Sequence, residues 1–295
     1  MTSTHSARTT TRTLRTPHAD LAVDVHGPLP APDGRPPLLL VGAPMDASGF
    51  ATLVSLLPDR TVVTHDPRGL GRSTRSDGRD DHTPEQYVED LWAVVQAVGG
   101  GPVDVFASSG GAVTALELLR RRPGVVGTLV AHEPPVLSVL PDAERAFAAE
   151  RAVQEVYHAR GWGHGMAAFI ALTSWSGELT DEFAARPLPD PRAFGLPAGD
   201  DGTRTDPLLS GTSNAVTAYC PDVEAVRSSG ARVVVAVGRE SLGFLTGRTS
   251  QALAQQLGVE PVVFPGGHSG FMGGEFGQTG EPEEFADRLR AVLAG

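Results

Sequence analysis

Short apolar runs alternate with longer helix-like runs along most of this 295-residue chain. The run Pro37–Val41 is continuously apolar, as expected for a strand that is buried on both faces of a sheet. Repeated strand and helix units indicate a parallel sheet covered by helices on both faces. With 40% hydrophobic residues, the chain can form a sizeable core. Other strand-like runs span residues 12–15, 21–26, 61–64, 103–106, 124–131, 231–237 and 261–264, of which the first two could pair antiparallel.

The alternation breaks after residue 135 and resumes near residue 229. Between them, residues 136–228 contain helix-like runs and loops without a clear strand. A helical insertion at this point predicts a cap over the carboxyl-terminal edge of the sheet, where ligands bind in open α/β sheets. We therefore expect a flexible tail at residues 1–18, a core formed by residues 19–135 and 229–295, and a helical cap formed by residues 136–228.

Ser109 stands between a strand-like run and a helix-like run, in the sequence Ala-Ser-Ser-Gly-Gly. A strand, a sharp turn and a helix form a nucleophile elbow when a serine occupies the turn. The small residues Ala107 and Gly111 lie two positions before and after Ser109, which lets the strand and helix backbones pass closely. The following helix would direct its free N–H groups and its positive dipole end toward the serine oxygen. The pattern predicts that Ser109 is a nucleophile.

Three further motifs accompany Ser109 in a fixed order. They are the strand and turn Leu38–Pro44, the loop Asp66–Ser73, and the glycine-rich loop Phe264–Gly270, which contains His268. In content and order, the four elements resemble the α/β-hydrolase superfamily over roughly residues 20–293. The resemblance implies an α/β-hydrolase fold, with a mostly parallel eight-stranded sheet, helices on both faces and a helical cap insertion.

The resemblance also implies a role for each motif. Ser109 would attack the substrate carbonyl, and His268 would act as the general base. The backbone N–H groups of Ala43 and Gly110 would form the oxyanion hole. The family usually has a histidine where Val41 stands, and its loss weakens the support of the oxyanion loop more than the catalytic assignment.

The acid that would orient His268 has two candidates. The family most often places an aspartate after strand seven, but Ser241 occupies that position here. Glu240 is adjacent to it, and Glu133 follows strand six. Some haloalkane dehalogenases resemble this plan, because their acid is a glutamate after strand six. Glu133 is therefore favoured, and Glu240 is kept as the alternative.

The resemblance to dehalogenases does not extend to their chemistry. Those enzymes use an aspartate nucleophile followed by a tryptophan, whereas this chain has Ser109 and Gly110 at these positions. Dehalogenation and epoxide hydrolysis, which both use the aspartate, are therefore disfavoured.

Three apolar side chains are candidates for contact with a substrate. Met45 follows the oxyanion turn, and Trp162 and Trp175 lie in the expected cap. Such side chains are typical of ligand pockets, but they also fill cores and pack helices together. Both interpretations are open for each of the three residues.

Composition limits the partners and the location of the protein. The formal charge of −11 argues against nucleic acid and anionic membrane surfaces as partners. Cys220 is the only cysteine, which excludes an internal disulfide and is typical of a reducing cytosol. The sequence has no apolar stretch that could span a bilayer and no secretory signal. We expect a cytoplasmic protein that acts on a small molecule, and formation of a homo-oligomer is left open.

Neither a metal nor an organic cofactor is predicted. No cluster of Cys and His residues has the spacing of a metal site. The sequence Gly69-Leu70-Gly71 lacks the third glycine and the following helix of a dinucleotide-binding fingerprint. The site is therefore expected to work without a cofactor.

Two functions are consistent with these residues. The first is a cofactor-free serine hydrolase that cleaves a carboxylic ester, lactone or thioester through an acyl-enzyme on Ser109. The second is a non-hydrolytic protein of the same fold, such as a cyclase, isomerase or ligand binder, that uses the same pocket. The order of the motifs favours the first, whereas the missing histidine at Val41 and the displaced acid favour the second.

Overall fold

The computed structural model describes residues 9–295. Within this range, one sheet of eight strands runs through the molecule. Its strands are short and mostly buried, as the apolar runs predict. They are β1 (Thr9–Arg15), β2 (Asp20–His26), β3 (Leu38–Ala43), β4 (Val62–His65), β5 (Val103–Ser109), β6 (Val126–His132), β7 (Arg232–Gly238) and β8 (Val262–Phe264).

The strands lie side by side in the order β1-β2-β4-β3-β5-β6-β7-β8. The pairs β1 with β2 and β2 with β4 are antiparallel, and every other pair is parallel. Parallel neighbours need crossover connections, which helices between the strands supply. The predicted α/β-hydrolase fold with a mostly parallel eight-stranded sheet is therefore confirmed.

The first strand corrects the tail expected at residues 1–18. β1 begins at Thr9 and pairs antiparallel with β2 along its whole length. The tail expectation is wrong for residues 9–15, whereas the predicted pairing of the two opening runs is confirmed. β1 is an edge strand whose side chains are mostly exposed, so its polar sequence lacks the apolar signal of the inner strands. The remainder of the expected tail, residues 1–8, lies outside the described residues.

Helices cover both faces of the sheet and occupy the segment between β6 and β7. Each described helix is too short or too polar to cross a lipid bilayer. The helices are α1 (Ala51–Ser55), α2 (Pro84–Ala97), α3 (Gly110–Arg121), α4 (Ala143–Arg160), α5 (Trp162–Thr173), α6 (Asp181–Ala184), α7 (Asn214–Thr217), α8 (Val223–Ser228), α9 (Leu245–Leu257) and α10 (Pro282–Leu293).

The side chains of β3 alternate between two core clusters on opposite faces of the sheet. Leu39 and Val41 pack with residues of α2, α3 and α9, whereas Leu38 and Leu40 pack with residues of α1 and α10. Successive strand residues point to opposite faces, so a strand covered on both sides is apolar at every position.

The helices α4 to α8 lie within the expected cap, residues 136–228. A third hydrophobic cluster, which includes Tyr157 and Leu172, joins α4 to α5 and also contains Leu245 of α9. The Tyr219 hydroxyl donates a hydrogen bond of 3.0 Å to Glu117 of α3, which ties this segment to the sheet region. The division of the chain into a core and a cap stays a prediction.

Candidate active site

Ser109 ends β5 immediately before α3, in the turn that the sequence predicts. Its backbone has φ 57° and ψ −130°, which is rare for a residue with a side chain. α3 begins at Gly110, so the N–H groups of its first turn lie next to the serine. The Ser109 side chain is half-buried at the sheet edge, whereas Ser108 before it is buried.

The residues after Ser109 are glycines because α3 packs directly on β3. A Cβ atom on Gly111 would lie 2.2 Å from the carbonyl oxygen of Val41, a distance that no side chain adopts. A Cβ atom on Gly110 would lie 2.7 Å from the carbonyl oxygen of Ala43. The close approach that the sequence predicts at Gly111 is therefore present, and it depends on the missing side chain.

The two predicted oxyanion donors, Ala43 and Gly110, lie on either side of Ser109. Ala43 is opposite Ser109 in the parallel pairing of β3 with β5, and Gly110 follows the serine in the chain. Backbone N–H groups in such a position can stabilise an oxyanion without reorganisation. The structure brings the three residues together, and the role of Ala43 and Gly110 as donors stays a prediction.

Asp66 supports the loop that follows Ala43. Its carboxylate accepts hydrogen bonds from the backbone N–H of Ala47 at 3.0 Å and of Arg72 at 2.8 Å. Burial alone would raise the pKa of Asp66, but the hydrogen bonds from Arg72 and Ala47 hold it below its ordinary value. This buried carboxylate pins a loop that lacks the usual histidine at Val41.

His268 follows β8, and its Nδ1 atom lies 2.7 Å from Oε2 of Glu133. The Glu133 carboxylate also accepts hydrogen bonds from the Gly238 backbone N–H at 2.8 Å and the Thr246 hydroxyl at 2.6 Å. The Glu133 side chain has no exposed surface, whereas 42% of the His268 side chain is exposed. The carboxylate is therefore held from three directions and presents the imidazole to the site.

The pKa of Glu133 lies well below its ordinary value of 4.5. Burial by itself would raise this pKa, but the hydrogen bonds from His268 and from the Thr246 hydroxyl outweigh it. An ionised Glu133 can only accept hydrogen bonds, so we assign the His268 proton to Nδ1. The Nε2 atom of His268 is then free to accept a proton.

Ser109 and His268 lie at the same sheet edge without a direct hydrogen bond in the described part of the chain. Ser108 is paired with His132 across β5 and β6, and the ring centroids of His132 and His268 are 6.1 Å apart. The contact between a serine and its base is often long when no substrate is bound. Both residues therefore belong to the same edge of the sheet, and a catalytic contact between Ser109 and His268 stays a prediction.

Glu240, the alternative acid, lies beside His268 but points elsewhere. Its backbone N–H donates to the Gly266 carbonyl oxygen at 3.0 Å. Its side chain is exposed, and its Oε2 atom lies 3.5 Å from the position that a Cβ atom on Gly267 would occupy. Within residues 9–295, the carboxylate that bonds His268 is that of Glu133. Of the two predicted acids, the structure brings only Glu133 into contact with the histidine.

His132 is a site residue whose contacts the sequence motifs do not predict. It is completely buried, its Nδ1 atom is 3.1 Å from the Ser108 hydroxyl, and its Nε2 atom has no hydrogen-bond partner among the described residues. Burial lowers the pKa of His132 to about 4, so the ring is neutral at pH 7. His132 therefore forms an uncharged wall behind His268. Phenylalanine rings surround it, those of Phe106, Phe264, Phe271 and Phe285.

Met45, the first predicted substrate contact, packs over two glycines. A Cβ atom on Gly42 would lie 2.8 Å from the Met45 Cε atom, and a Cβ atom on Gly49 would lie 2.2 Å from the Met45 Sδ atom. The side chain also packs against the core cluster of α1 and α10. These contacts favour a packing role, and a contact between Met45 and substrate stays a prediction.

The two tryptophans of the expected cap make their described contacts with cap residues. Trp162 donates from Nε1 to Asp206 at 2.9 Å. Trp175 donates from Nε1 to the Glu178 carbonyl oxygen at 2.9 Å and packs edge to face on Phe183 at 5.3 Å. These contacts favour helix packing, and a role in substrate binding stays a prediction for both indoles.

Metal-binding side chains do not converge in the part of the chain that the structure describes. There, no group of three or more His, Cys, Asp and Glu residues is arranged to hold a metal ion. The two histidines at the sheet edge, His132 and His268, instead contact Ser108 and Glu133.

The chain is similar to known hydrolases in sequence and in fold. Residues 38–288 match the family described as the alpha/beta hydrolase family. The uncharacterized hydrolase YraK of Bacillus subtilis (strain 168) is 29% identical over 286 residues, which cover 95% of each chain.

Two solved structures illustrate the shared fold. A thermophilic esterase from Thermogutta terrifontis has a TM-score of 0.62 and 22% identity, and the match covers 98% of each chain. The enol-lactonase from Burkholderia xenovorans LB400 has a TM-score of 0.58 and 18% identity, with 95% of this chain and 100% of that chain covered. At these identities, the likeness shows the fold.

Proposed function

This chain belongs to the alpha/beta hydrolase family, and we propose that it is a cofactor-free serine hydrolase that cleaves a carboxylic ester, lactone or thioester. The observation that carries the proposal is the 2.7 Å contact between His268 Nδ1 and Glu133 Oε2, at the edge where Ser109 stands in its elbow. A serine needs such a fixed base because it is a weak nucleophile at its free pKa. An esterase and an enol-lactonase that share the fold are consistent with ester cleavage.

In the first half of the proposed reaction, Ser109 Oγ attacks the substrate carbonyl carbon while its proton moves to His268 Nε2. The resulting imidazolium is stabilised by the ionised Glu133 at Nδ1. The carbonyl oxygen becomes an oxyanion that the N–H groups of Ala43 and Gly110 stabilise. When the tetrahedral intermediate collapses, the leaving alcohol or thiol takes the proton from His268, and an acyl-enzyme remains on Ser109.

In the second half, a water molecule attacks the acyl-enzyme and gives its proton to His268 Nε2. The same two N–H groups stabilise the second oxyanion, and the proton returns to Ser109 Oγ as the carboxylic acid leaves. Glu133 stays ionised throughout, since its pKa lies well below the ordinary value. A lactone follows the same steps, except that the leaving alcohol stays attached to the acyl group.

The proposal includes the surroundings of the site. Residues 136–228 would form a cap above the sheet edge and admit a small-molecule substrate. A cytoplasmic location agrees with the single cysteine of the chain, Cys220.

The test compares two neighbouring serines. Wild type, Ser109→Ala and Ser108→Ala are assayed on short p-nitrophenyl esters and on lactones, and each is treated with a fluorophosphonate probe. We expect Ser109→Ala to lose both turnover and labelling, whereas Ser108→Ala keeps labelling because its hydroxyl faces His132. Turnover that Ser109→Ala leaves unchanged would refute the proposal.

The non-hydrolytic alternative rests on the missing histidine at Val41 and on the displaced acid. The contact of Glu133 with His268 supplies an acid, and the hydrogen bond from Ala47 to Asp66 supports the loop. Both features are therefore compatible with hydrolysis. A folded wild-type protein that the fluorophosphonate does not label would favour the alternative.

A further inference from the structure

Glu275 lies between β8 and α10, in the loop of residues 265–281 that contains His268, called here the histidine loop. Its Oε1 atom accepts a hydrogen bond of 2.6 Å from the backbone N–H of Thr52 in α1, 223 positions away in the chain. Its Oε2 atom accepts a hydrogen bond of 2.7 Å from the backbone N–H of Gly273, in the same loop. This half-buried carboxylate therefore joins the histidine loop to α1.

Two further contacts hold the histidine loop against the same part of the chain. A Cβ atom on Gly273 would lie 2.7 Å from the Thr52 hydroxyl oxygen, so this close approach depends on the missing side chain. Phe271, also in the loop, stacks on Phe50 with 5.4 Å between the ring centroids. Phe50 ends the 3-10 turn directly before α1. Hydrogen bonds, a close backbone approach and an aromatic stack thus connect the same two segments.

The turn that carries Glu275 is strained. Phe276 has φ 52° and ψ 25°, a left-handed conformation that residues with a side chain rarely adopt. Burial of the ring does not account for this conformation, because 61% of Phe276 is exposed. Such strain persists where the surroundings enforce it. Here the pairing of Gly273 with Thr279 closes the turn, and Glu275 reaches back to Thr52.

The segment that Glu275 contacts begins at a proposed oxyanion donor. Ala43 ends β3, and residues 43–52, called here the oxyanion segment, lead from it to Thr52. Met45 packs over both Gly42 and Gly49, which makes this segment compact. A bond at Thr52 can therefore limit the movement of the N–H group of Ala43.

We propose that Glu275 is a positioning residue, which keeps the histidine loop and the oxyanion segment at a fixed separation. This inference rests on the proposed function, because it concerns the alignment of that site's general base with one of its oxyanion donors. His268 and Ala43 must address the same reacting carbonyl group, and a displacement of about 1 Å costs about 100-fold in rate. Glu275 acts through these two residues and takes part in no covalent step.

Two carboxylates then support the oxyanion segment from opposite sides. Asp66 accepts from the backbone N–H of Ala47 at 3.0 Å, and Glu275 accepts from that of Thr52 at 2.6 Å. Val41 is apolar and packs in the core, so its side chain gives the segment no hydrogen bond. Of the two supports, that of Glu275 also reaches the loop of the base.

The first experiment compares two carboxylates of the histidine loop. Wild type, Glu275→Ala and Glu281→Ala are assayed on a p-nitrophenyl ester, and active enzyme is counted by complete fluorophosphonate labelling of Ser109. We expect Glu275→Ala to lower kcat about 10- to 100-fold and to leave KM within about 3-fold, because the lost alignment matters in the transition state. Glu281→Ala should keep kcat within about 3-fold, since Glu281 pairs with Arg239, whose side chain is 56% exposed.

A conservative variant separates alignment from stability. Glu275→Gln keeps one acceptor oxygen, so its kcat should lie between those of wild type and Glu275→Ala. A loss of stability alone would change the number of labelled sites and leave kcat per labelled site unchanged. An unchanged kcat per labelled site in Glu275→Ala, or a loss no larger than in Glu281→Ala, overturns the proposal.

The second experiment follows both segments without hydrolysis, by amide hydrogen exchange and mass spectrometry of wild type, Glu275→Ala and Glu281→Ala. We expect Glu275→Ala to speed exchange about 10-fold in the oxyanion segment and in the histidine loop, because hydrogen bonds to a charged group are lost from both. Exchange in β6 should stay as in wild type, which shows that the variant is folded. Faster exchange in the histidine loop alone, or in neither segment, overturns the assignment. If wild type neither cleaves the ester nor takes the label, the proposed function fails, while the exchange still decides whether Glu275 joins the two segments.

Discussion

Two residues of the proposed site have backbone conformations that side chains rarely adopt. Ser109 has φ 57° and Glu133 has φ 48°. Such conformations cost on the order of 1–3 kcal/mol each and persist where the surroundings enforce them. The Glu133 backbone N–H donates a hydrogen bond of 3.0 Å to the Ala236 carbonyl oxygen, and its carboxylate accepts further hydrogen bonds. These hydrogen bonds enforce the backbone conformation of Glu133. The strain aims both side chains at the same edge of the sheet.

We expect Glu133→Gln to lower kcat on a p-nitrophenyl ester by roughly 10³- to 10⁴-fold, because an amide neither holds the His268 tautomer nor stabilises the imidazolium. The amide oxygen can still accept from Gly238, so the fold should persist. Steady-state kinetics and a melting curve measure both effects. Glu240→Gln is the matched control and should change kcat by less than about 3-fold, since this carboxylate is exposed and does not bond His268. A larger loss in Glu240→Gln than in Glu133→Gln would reverse the assignment of the acid.

The choice between these two glutamates shows what spacing leaves undecided. Both follow parallel strands that end at the same edge, so the motifs predict that each lies near His268. What separates them is the positive φ of Glu133 and the two further donors that hold its carboxylate, one of them from Thr246. Nothing in the local sequence relates position 133 to position 246. The sequence predicts a nucleophile, a base and two possible acids, whereas the contact of one of these acids with His268 needed the structure.

His132 should make the stability of the protein depend on pH. Its pKa is about 4 in the folded protein and 6.5 in the unfolded chain, so only the unfolded state takes up a proton between these values. The free energy of unfolding should therefore fall as pH drops from 6.5 to 4, by about 3 kcal/mol from this group. Urea unfolding of wild type and His132→Gln at several pH values measures it, and their difference should shrink toward pH 4. Parallel curves for the two proteins would contradict the prediction.

At the scale of elements, the elbow depends on how closely α3 can approach β3. A Cβ atom on Gly111 would lie 2.2 Å from the Val41 carbonyl oxygen, so Gly111→Ala forces the helix and strand apart. We expect this variant to lose roughly 3 kcal/mol of unfolding free energy. Gly101→Ala is the control, because a Cβ atom there meets nothing within 4 Å, and its effect should stay below about 0.5 kcal/mol. Equal melting temperatures for the two variants would show that the contact is not limiting.

The strands and helices could largely be predicted because their signals are local. The apolar run Pro37–Val41 predicts β3, and the run at residues 246–257 predicts α9 to within one residue at its start. The edge strand β1 differs, because its residues are mostly polar and exposed. Without a run of apolar residues, the sequence does not distinguish this strand from a flexible tail. Contacts between distant elements, such as that of Gln154 with Asn214, have no local pattern and required the structure.

At the scale of the whole molecule, the expected cap and core are joined next to the proposed site. Asp142, just before α4, forms an ion pair with Arg248 of α9. The same helix carries Thr246, which bonds the carboxylate of Glu133. The order of the motifs predicted a cap at this place in the chain, but the residues that connect it to the core could not be read from that order. The pair of Asp142 with Arg248 therefore joins the expected cap to the helix that also contacts Glu133.

We expect Arg248→Gln to lower the free energy of unfolding by about 2–3 kcal/mol, because it leaves Asp142 buried without its cation. The exposed fractions of the Asp142 and Arg248 side chains are only 4% and 12%, so water cannot replace the lost partner. Arg145→Gln is the matched control in the cap, since Arg145 and Asp181 are 57% and 94% exposed and their pair should contribute less than about 1 kcal/mol. Urea unfolding measures both, and adding Asp142→Asn to Arg248→Gln should restore part of the loss.

On a p-nitrophenyl ester, Arg248→Gln should raise KM more than it lowers kcat, because the cap shifts while Ser109 and His268 keep their supports. Equal losses in Arg145→Gln and Arg248→Gln would show that the buried pair does not join the cap to the core.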